Sequence, residues 1–384
     1  MHKQLSLRVQ IASIPVGILL ILTLYWSSLS GPFLFDDIPN LERLAQIGGV
    51  KDWHSLTVFL LGGHSAAGRP LSFASFLLDD FAWPSQPWLF RYHNLLFHVL
   101  TFLLLLWLTI RLNLQFYANR TTGFWIAFFA AFAWSIHPLM VSTTAYVVQR
   151  MEILSALFSI AGLLCYTIGR QRALDGSLRS GYSIATLGLG IFTILAFLSK
   201  ENGALAPLLA LVIEACVFRF RPPSGVSRSS HVIWIFVVLL GPLLLIAAYF
   251  IATWHSVISP LYETRSFTLT ERLYTEPRII VDYLRKLLLP SMQSSGLFHD
   301  DYPFSTSLLT PPSTIISIIA VAGLFIFGIL LRRRQPTISL AILFFFAAHS
   351  LESTFLPLEL YFEHRNYLAS AFIFLPIVQF LGNG

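Results

Sequence analysis

Ten stretches of this chain run with almost no charge, at about 11–30, 89–110, 123–141, 150–168, 182–199, 203–218, 232–253, 314–331, 338–354 and 366–382. Each is close to the ~20 residues a helix needs to cross about 30 Å of hydrocarbon. Their apolar positions are continuous rather than alternating with polar ones, which is the pattern of helices and not of barrel strands. A backbone in lipid must also satisfy its own hydrogen bonds, and a helix does this within one segment. The pattern predicts an all-α fold, a polytopic transmembrane helical bundle of about ten spans, with residues 1–384 forming one membrane domain.

The polar positions between the runs are unevenly distributed. With the N-terminus (Lys3, Arg8) inside, Arg111 and Arg120, then Arg170, Arg172 and Arg179, then Arg219, Arg221 and Arg228, then Arg332 to Arg334 all fall on the cytoplasmic side. This is the positive-inside pattern. Two long excursions, 31–88 and 254–312, then lie on the outer face, where long loops point to function. The stretch Gly31–Phe35 lacks a small-x-small cleavage site, so the first run is expected to stay as a span.

Composition adds little to this. The chain is 55% hydrophobic and 11% charged, far from a soluble globular average. Its net charge of +6 is mostly the topological signal, and no basic, aromatic-interleaved patch speaks for nucleic acid. Cys165 and Cys216 fall near cytoplasmic span ends and read as small core residues rather than a disulfide.

Candidate chemistry gathers at the outer boundary. Asp36-Asp37, in GPFLFDDIPN just past the first span, are two adjacent acids where acids are costly to hold. His64, the Gly-flanked Arg69-Pro70 and Asp79-Asp80 follow, the last reading as an ordinary solvated loop. The stretch GGHSAAGRPL suits a backbone making tight turns or passing close to a ligand. His93, Asn94 and His98 open the second span, and His137-Pro138 stops the third. Gln149, Arg150 and Glu152 head the fourth, and an Arg at the mouth of a bundle is placed to hold a phosphate. Ser199-Lys200-Glu201-Asn202 forms a short outer turn, and Glu352, Glu359, Glu363, His364 and Arg365 close the list. No HExxH-like spacing indicates a zinc site.

In the second excursion, Thr275-Glu276-Pro277 reads as a helix start. Ile279, Ile280, Tyr283, Leu284, Leu287 and Leu288 then form one apolar stripe, predicting an amphipathic helix in the membrane interface. His299, Asp300, Asp301 and Tyr302 form a polar knot beyond it.

FDD after the first span, RPLS in the first loop, HPLMVSTTAYVVQRMEILSALF, LSKENGALAPLLALVIE and EHRNYL occur here in that order. Over roughly residues 30–370 the chain resembles the membrane domain of bacterial relatives of the transmembrane and tetratricopeptide-repeat O-mannosyltransferases, of the GT-C glycosyltransferase class. The resemblance implies an enzyme that takes a sugar from a polyprenyl-phosphate carrier and gives it to a protein or glycan acceptor. It implies action at the periplasmic face of a bacterial inner membrane, in contact with membrane lipid. It places Asp36-Asp37 where the family has an acidic pair, although the related protein mannosyltransferases carry Asp-Glu there. No repeat of about 34 residues occurs in this sequence, which leaves two alternatives: a truncated gene product, or acceptor recruitment by a separate partner.

Transfer of this kind needs a base for the incoming hydroxyl and cationic or hydrogen-bonding groups for the departing phosphate. Asp36 or Asp37 is the candidate base, its neighbour orienting it or helping to bind a divalent cation, Mg or Mn. Arg69, Arg150, Lys200 and Arg365 are candidates for the phosphate, with Glu201 beside them, and His93 and His137 for the sugar. A lipid-linked glycan ligase or polymerase, a transporter and a non-catalytic scaffold are the alternatives.

Overall fold

The computed structural model describes residues 2–62, 68–290, 296 and 302–382. Helices α1 (His2–Trp26), α2 (Pro87–Asn113), α3 (Arg120–Ser135), α4 (Arg150–Leu174), α5 (Leu178–Ser199), α6 (Ala206–Ile213), α7 (Gly241–Thr253), α8 (Leu269–Leu288), α9 (Ser313–Leu331) and α10 (Pro336–His349) form its frame. Short helices, the larger being Trp53–Leu61 and Pro70–Phe76, lie in the described part of the 31–88 excursion. The all-α bundle expected from the hydrophobic pattern is what forms.

The span count differs from the expectation. Among the described residues seven helices are long and apolar enough to cross a membrane, or eight if Arg120–Ser135 and Pro138–Thr144, bent by 55°, make one span. The runs at 338–354 and 366–382 drop out. The first yields only the 14 residues of α10, about 21 Å at 1.5 Å per residue. The second is divided between Asn366–Ala369 and Phe374–Gly382.

The difference lies between them. Arg272 of α8 donates to the carbonyls of Glu352 (2.6 Å), Thr354 (2.7 Å) and Leu358 (2.5 Å), and Arg365 donates to the carbonyl of Leu360 at 2.7 Å. The segment 350–365 runs as turns instead of spanning, and the carbonyls of Glu352, Thr354, Leu358 and Leu360 are held by guanidinium groups rather than by a helical ladder.

Burial orders the bundle. In α4 with its leading turn, 83% of the most apolar window is buried, against 11% in the first span and in the run Arg228–Thr264. The central helix is therefore α4, and the other two turn Leu19, Leu245 and Ile251 outward, toward lipid. Helices α4 and α5 cross closely at two glycines: a Cβ added to Gly181 would lie 2.5 Å from the Ala173 amide nitrogen and 2.7 Å from the Gly169 carbonyl oxygen. Small residues permit such contact in membranes. Gly181→Val is expected to lower stability by about 1–3 kcal/mol through overpacking, and an unchanged melting curve in detergent would contradict this crossing.

At the end of α4 opposite Arg150, Arg170 is fully buried rather than solvated. It pairs with Glu214 (2.8 and 2.9 Å), and Glu214 also accepts from the Tyr166 hydroxyl at 2.7 Å. The π-turn Glu214–Phe218 supplies this carboxylate. Cys165 and Cys216 are free thiols; Cys216 is buried in the core as expected, whereas Cys165 is only partly buried.

The second-excursion helix begins earlier than its Thr275-Glu276-Pro277 signal suggested. Thr268 caps it through a reciprocal box with Glu271, and Pro277 sits inside the helix. The signature Thr-x-x-Glu was legible in the sequence. Ile279, Ile280, Tyr283 and Leu287 are buried as expected, but so are Arg272, Glu276 and Lys286, so this face packs on the protein and carries charge into it. His64, His299, Asp300 and Asp301 lie outside the described residues.

Candidate active site

The acidic pair divides into two unlike groups. Arg91 of α2 donates to the Ser28 carbonyl at 3.2 Å and to the Pro32 carbonyl, anchoring the chain as it leaves α1. Phe35 then takes a positive φ of 35°, a conformation that costs a non-glycine residue of order 1–3 kcal/mol, and the chain turns into Asp37–Leu41. Asp37 is fully buried. Its carboxylate accepts the N–H of Leu34 at 2.9 Å and of Val148 at 2.7 Å, stitching the first loop to the head of α4.

Asp36 is exposed as a residue, but its carboxyl is partly desolvated and shares a hydrogen bond with the Tyr146 hydroxyl, which also accepts the Asp36 N–H at 2.8 Å. Tyr146 played no part in the sequence reading, because a tyrosine at a span boundary carries no distinguishing signal. Partial desolvation raises the Asp36 carboxyl above the usual aspartate range; the Tyr146 hydroxyl opposes this, Glu359 adds to it and Arg69 opposes it.

Burial likewise pushes Asp37 up to about 6, against the two backbone donors and Arg91. A folded pKa above the unfolded value of about 3.9 means the unfolded chain gives up this proton first. The contribution of Asp37 to stability is thus present below pH ~4 and lost as pH rises to about 6. Melting temperatures across that window are expected to slope downward from this group, and Asp37→Asn to flatten the slope.

Arg69 lies across from the pair at the head of Pro70–Phe76, in the left-handed conformation with φ 51°. Its guanidinium forms a fork with Glu201 at 2.9–3.2 Å and is part-exposed. The next residue back, Lys200, is buried and bridges Glu152 (2.7 Å) and Glu352 (2.8 Å). Asn202 holds Glu152 at 2.9 Å and is itself held by Ser155 at 2.8 Å. Arg365 is buried between the Leu360 and Glu359 carbonyls and Glu276. Burial works against ionisation of Glu352, yet Lys200, Arg365 and His364 hold its carboxyl below the usual glutamate range.

Asp36, Arg69, Lys200, Glu201 and Arg365 therefore belong to one electrostatically connected site, joined by Glu152, Glu352 and His364. The other predicted residues lie elsewhere. Arg150 is fully buried and has no direction left for a phosphate: it donates to Asn94 Oδ1 (2.7 Å) and to the carbonyls of Ser75 (2.8 Å) and Phe90 (2.7 Å), and pairs with Asp79 at 2.5 Å. Asp79 is accordingly a buried ion-pair partner and not a solvated loop residue, and its second oxygen meets His93. His93 thus belongs to the Arg150 knot. His137 accepts the Leu139 N–H at 3.2 Å and lies against Phe374, so it serves the bend between α3 and Pro138–Thr144.

An apolar groove of about 560 Å³ adjoins the site, lined among others by Leu205, Ala247, Phe250, Trp254, Leu351 and Phe355. Two of its walls continue directly from site residues, since Leu351 precedes Glu352 and Leu205 ends the turn that starts after Lys200. Each Asp37 oxygen accepts one backbone N–H group. No group of three His, Cys, Asp or Glu side chains suited to a metal occurs among the described residues.

Compared with known proteins, the chain is 28% identical over 189 residues to the human Protein O-mannosyl-transferase TMTC1, covering 47% of this chain and 21% of the relative. The chain thus spans about a fifth of the length of that curated relative. No family model matches it, and no solved structure does.

Proposed function

We propose that the protein is an inverting glycosyltransferase that moves a sugar from a polyprenyl-phosphate donor to an acceptor hydroxyl, a protein side chain being the favoured acceptor, at the periplasmic face of a bacterial inner membrane. The observation that carries this reading is the division of labour in the acidic pair: Asp37 holds two backbone N–H groups, while Asp36 holds none and lies beside Tyr146 and Arg69.

In the reaction the acceptor oxygen bonds to C1 of the sugar while its proton passes to the Asp36 carboxylate. The bond from C1 to the phosphate oxygen breaks, and that oxygen keeps the electron pair. Arg69 and Lys200 stabilise the charge that grows there. Each is already oriented by carboxylates, so little reorganisation is needed when the charge develops. One base suffices, and no covalent intermediate forms on the protein.

The apolar groove suits an isoprenoid tail, whose phosphate would then lie beside Lys200 and Glu352. Ala247→Trp fills the groove and is expected to raise the KM for a long-chain donor by about tenfold, the scale of losing roughly 1.4 kcal/mol of apolar contact. A donor with only two isoprene units should be little affected. Equal effects on both donors, measured in detergent with radiolabelled sugar, would take the tail out of this groove.

A further inference from the structure

His364 lies in the Glu363–Arg365 turn and is neither the base nor one of the two cations of the transfer. Phe362 stacks on its imidazole with centroids 4.9 Å apart and planes at 27°, which fixes the ring plane and leaves the edges free. The turn is held on both sides: Arg365 donates to the Leu360 carbonyl at 2.7 Å and Asn366 to the Glu363 carbonyl at 3.1 Å.

The ring is half-buried and makes no hydrogen bond to any described residue. Its charged neighbours are Lys200, Glu352, Arg365 and Arg69, each of which has polar partners of its own. An imidazole held by stacking and with unspent hydrogen-bonding capacity therefore lies near both cations assigned to the phosphate.

Burial first, and then Lys200, Arg365 and Arg69 against the opposing pull of Glu352, hold this imidazole well below its ordinary pKa. It stays neutral, with one N–H donor and one bare nitrogen. A ring that resists protonation is a poor base for the acceptor hydroxyl. Its N–H, set among cations, is well suited to an anionic oxygen.

We propose that His364 is a catalytic residue of the transfer, donating its N–H hydrogen bond to the carrier phosphate as the bond from C1 to the phosphate oxygen breaks. This rests on the glycosyl-transfer reading above. No proton changes hands at His364: the acceptor proton goes to Asp36, the electron pair goes to the phosphate oxygen, and the imidazole ends the step as it began.

The test uses the full-length protein with a polyprenyl-phosphate-linked sugar as donor, comparing wild type, His364→Ala and His364→Gln. An interaction that strengthens in the transition state appears in kcat. The alanine variant is expected to lose about 10²-fold in kcat, the scale seen for removing one such donor, with donor KM within about threefold. Glutamine, which keeps an N–H near the same place, should recover at least tenfold of that loss. Wild type and the glutamine variant should share one pH–rate profile with no limb from an imidazole.

Wild-type kcat in the alanine variant overturns the proposal. So does an equal loss in both variants accompanied by a lower melting temperature, which would make the ring a structural support. Binding of polyprenyl phosphate alone, without sugar, is the independent arm. Its affinity should fall about tenfold in His364→Ala, and unchanged affinity overturns the contact. Absence of transfer by wild type contradicts the glycosyl-transfer reading instead, and the carrier-binding arm still decides the role of His364.

Discussion

Replacing Asp36 by asparagine is expected to cut sugar transfer by about 10³-fold, within the range for loss of a general base, while leaving the melting temperature nearly unchanged. The residue is exposed and its carboxyl holds no backbone group in place, so its amide isostere disturbs little. Asp37→Asn should behave in the opposite way. Its carboxylate accepts N–H groups from Leu34 and Val148, and an amide can accept only through its oxygen while turning an NH₂ toward the other donor. That mismatch costs about 1–3 kcal/mol and loosens the first loop from α4. Activity then falls because the base is misplaced, and it should recover in part at low temperature. Equal, stability-neutral losses in both variants would mean that the two carboxylates share the chemistry.

The second large effect concerns stability. Arg150→Ala removes one guanidinium that joins Ser75, Phe90, Asn94 and Asp79 across three segments of the chain. It leaves Asp79 as a buried carboxylate without its charged partner, and breaking such a pair costs about 3–5 kcal/mol. The face of Phe76, 4.9 Å from the guanidinium, loses its cation as well. The expected result is a protein that is poorly recovered from detergent extraction, or melts well below wild type. Arg150→Lys should not restore it, because an ammonium cannot reproduce the planar fork. Arg69→Gln provides the contrast: a part-exposed residue paired with Glu201, whose loss should weaken donor handling with little change in melting temperature. If Arg150→Ala melts like wild type and only its donor KM rises, Arg150 is a phosphate ligand after all.

Much of this was legible in the sequence, for a simple physical reason. The hydrophobic runs had to be helices because lipid leaves the backbone no other partner, and acids at a membrane exit had to answer to something other than packing. Asp36, Arg69, Lys200, Glu201 and Arg365 were singled out from their side of the membrane alone, and the structure brings them together. The misplacements share one cause. Residue type reports charge but not partners, and so Arg150 and Asp79, which neutralise each other in the interior, read as a phosphate ligand and a solvated loop. The spans expected at 338–354 and 366–382 failed for the same reason, since hydropathy averages do not register that Arg272 and Arg365 hold the intervening carbonyls. The roles of Asp36 and Asp37 could not be told apart by sequence, because they depend on where the N–H of Val148, 111 residues away, comes to rest.

The most direct measurement follows radiolabelled sugar in membrane vesicles containing the wild-type protein, with vesicles lacking it as control. One set receives polyprenyl-phosphate-linked sugar and the other the matching nucleotide sugar, in the presence of protein acceptor and with the synthesis of lipid-linked donor blocked. Label should pass to the acceptor from the polyprenyl-phosphate donor alone and only where the protein is present. Label arriving solely from the nucleotide sugar, or none from any lipid-linked sugar supplied, would contradict a transferase that works on a polyprenyl-phosphate carrier.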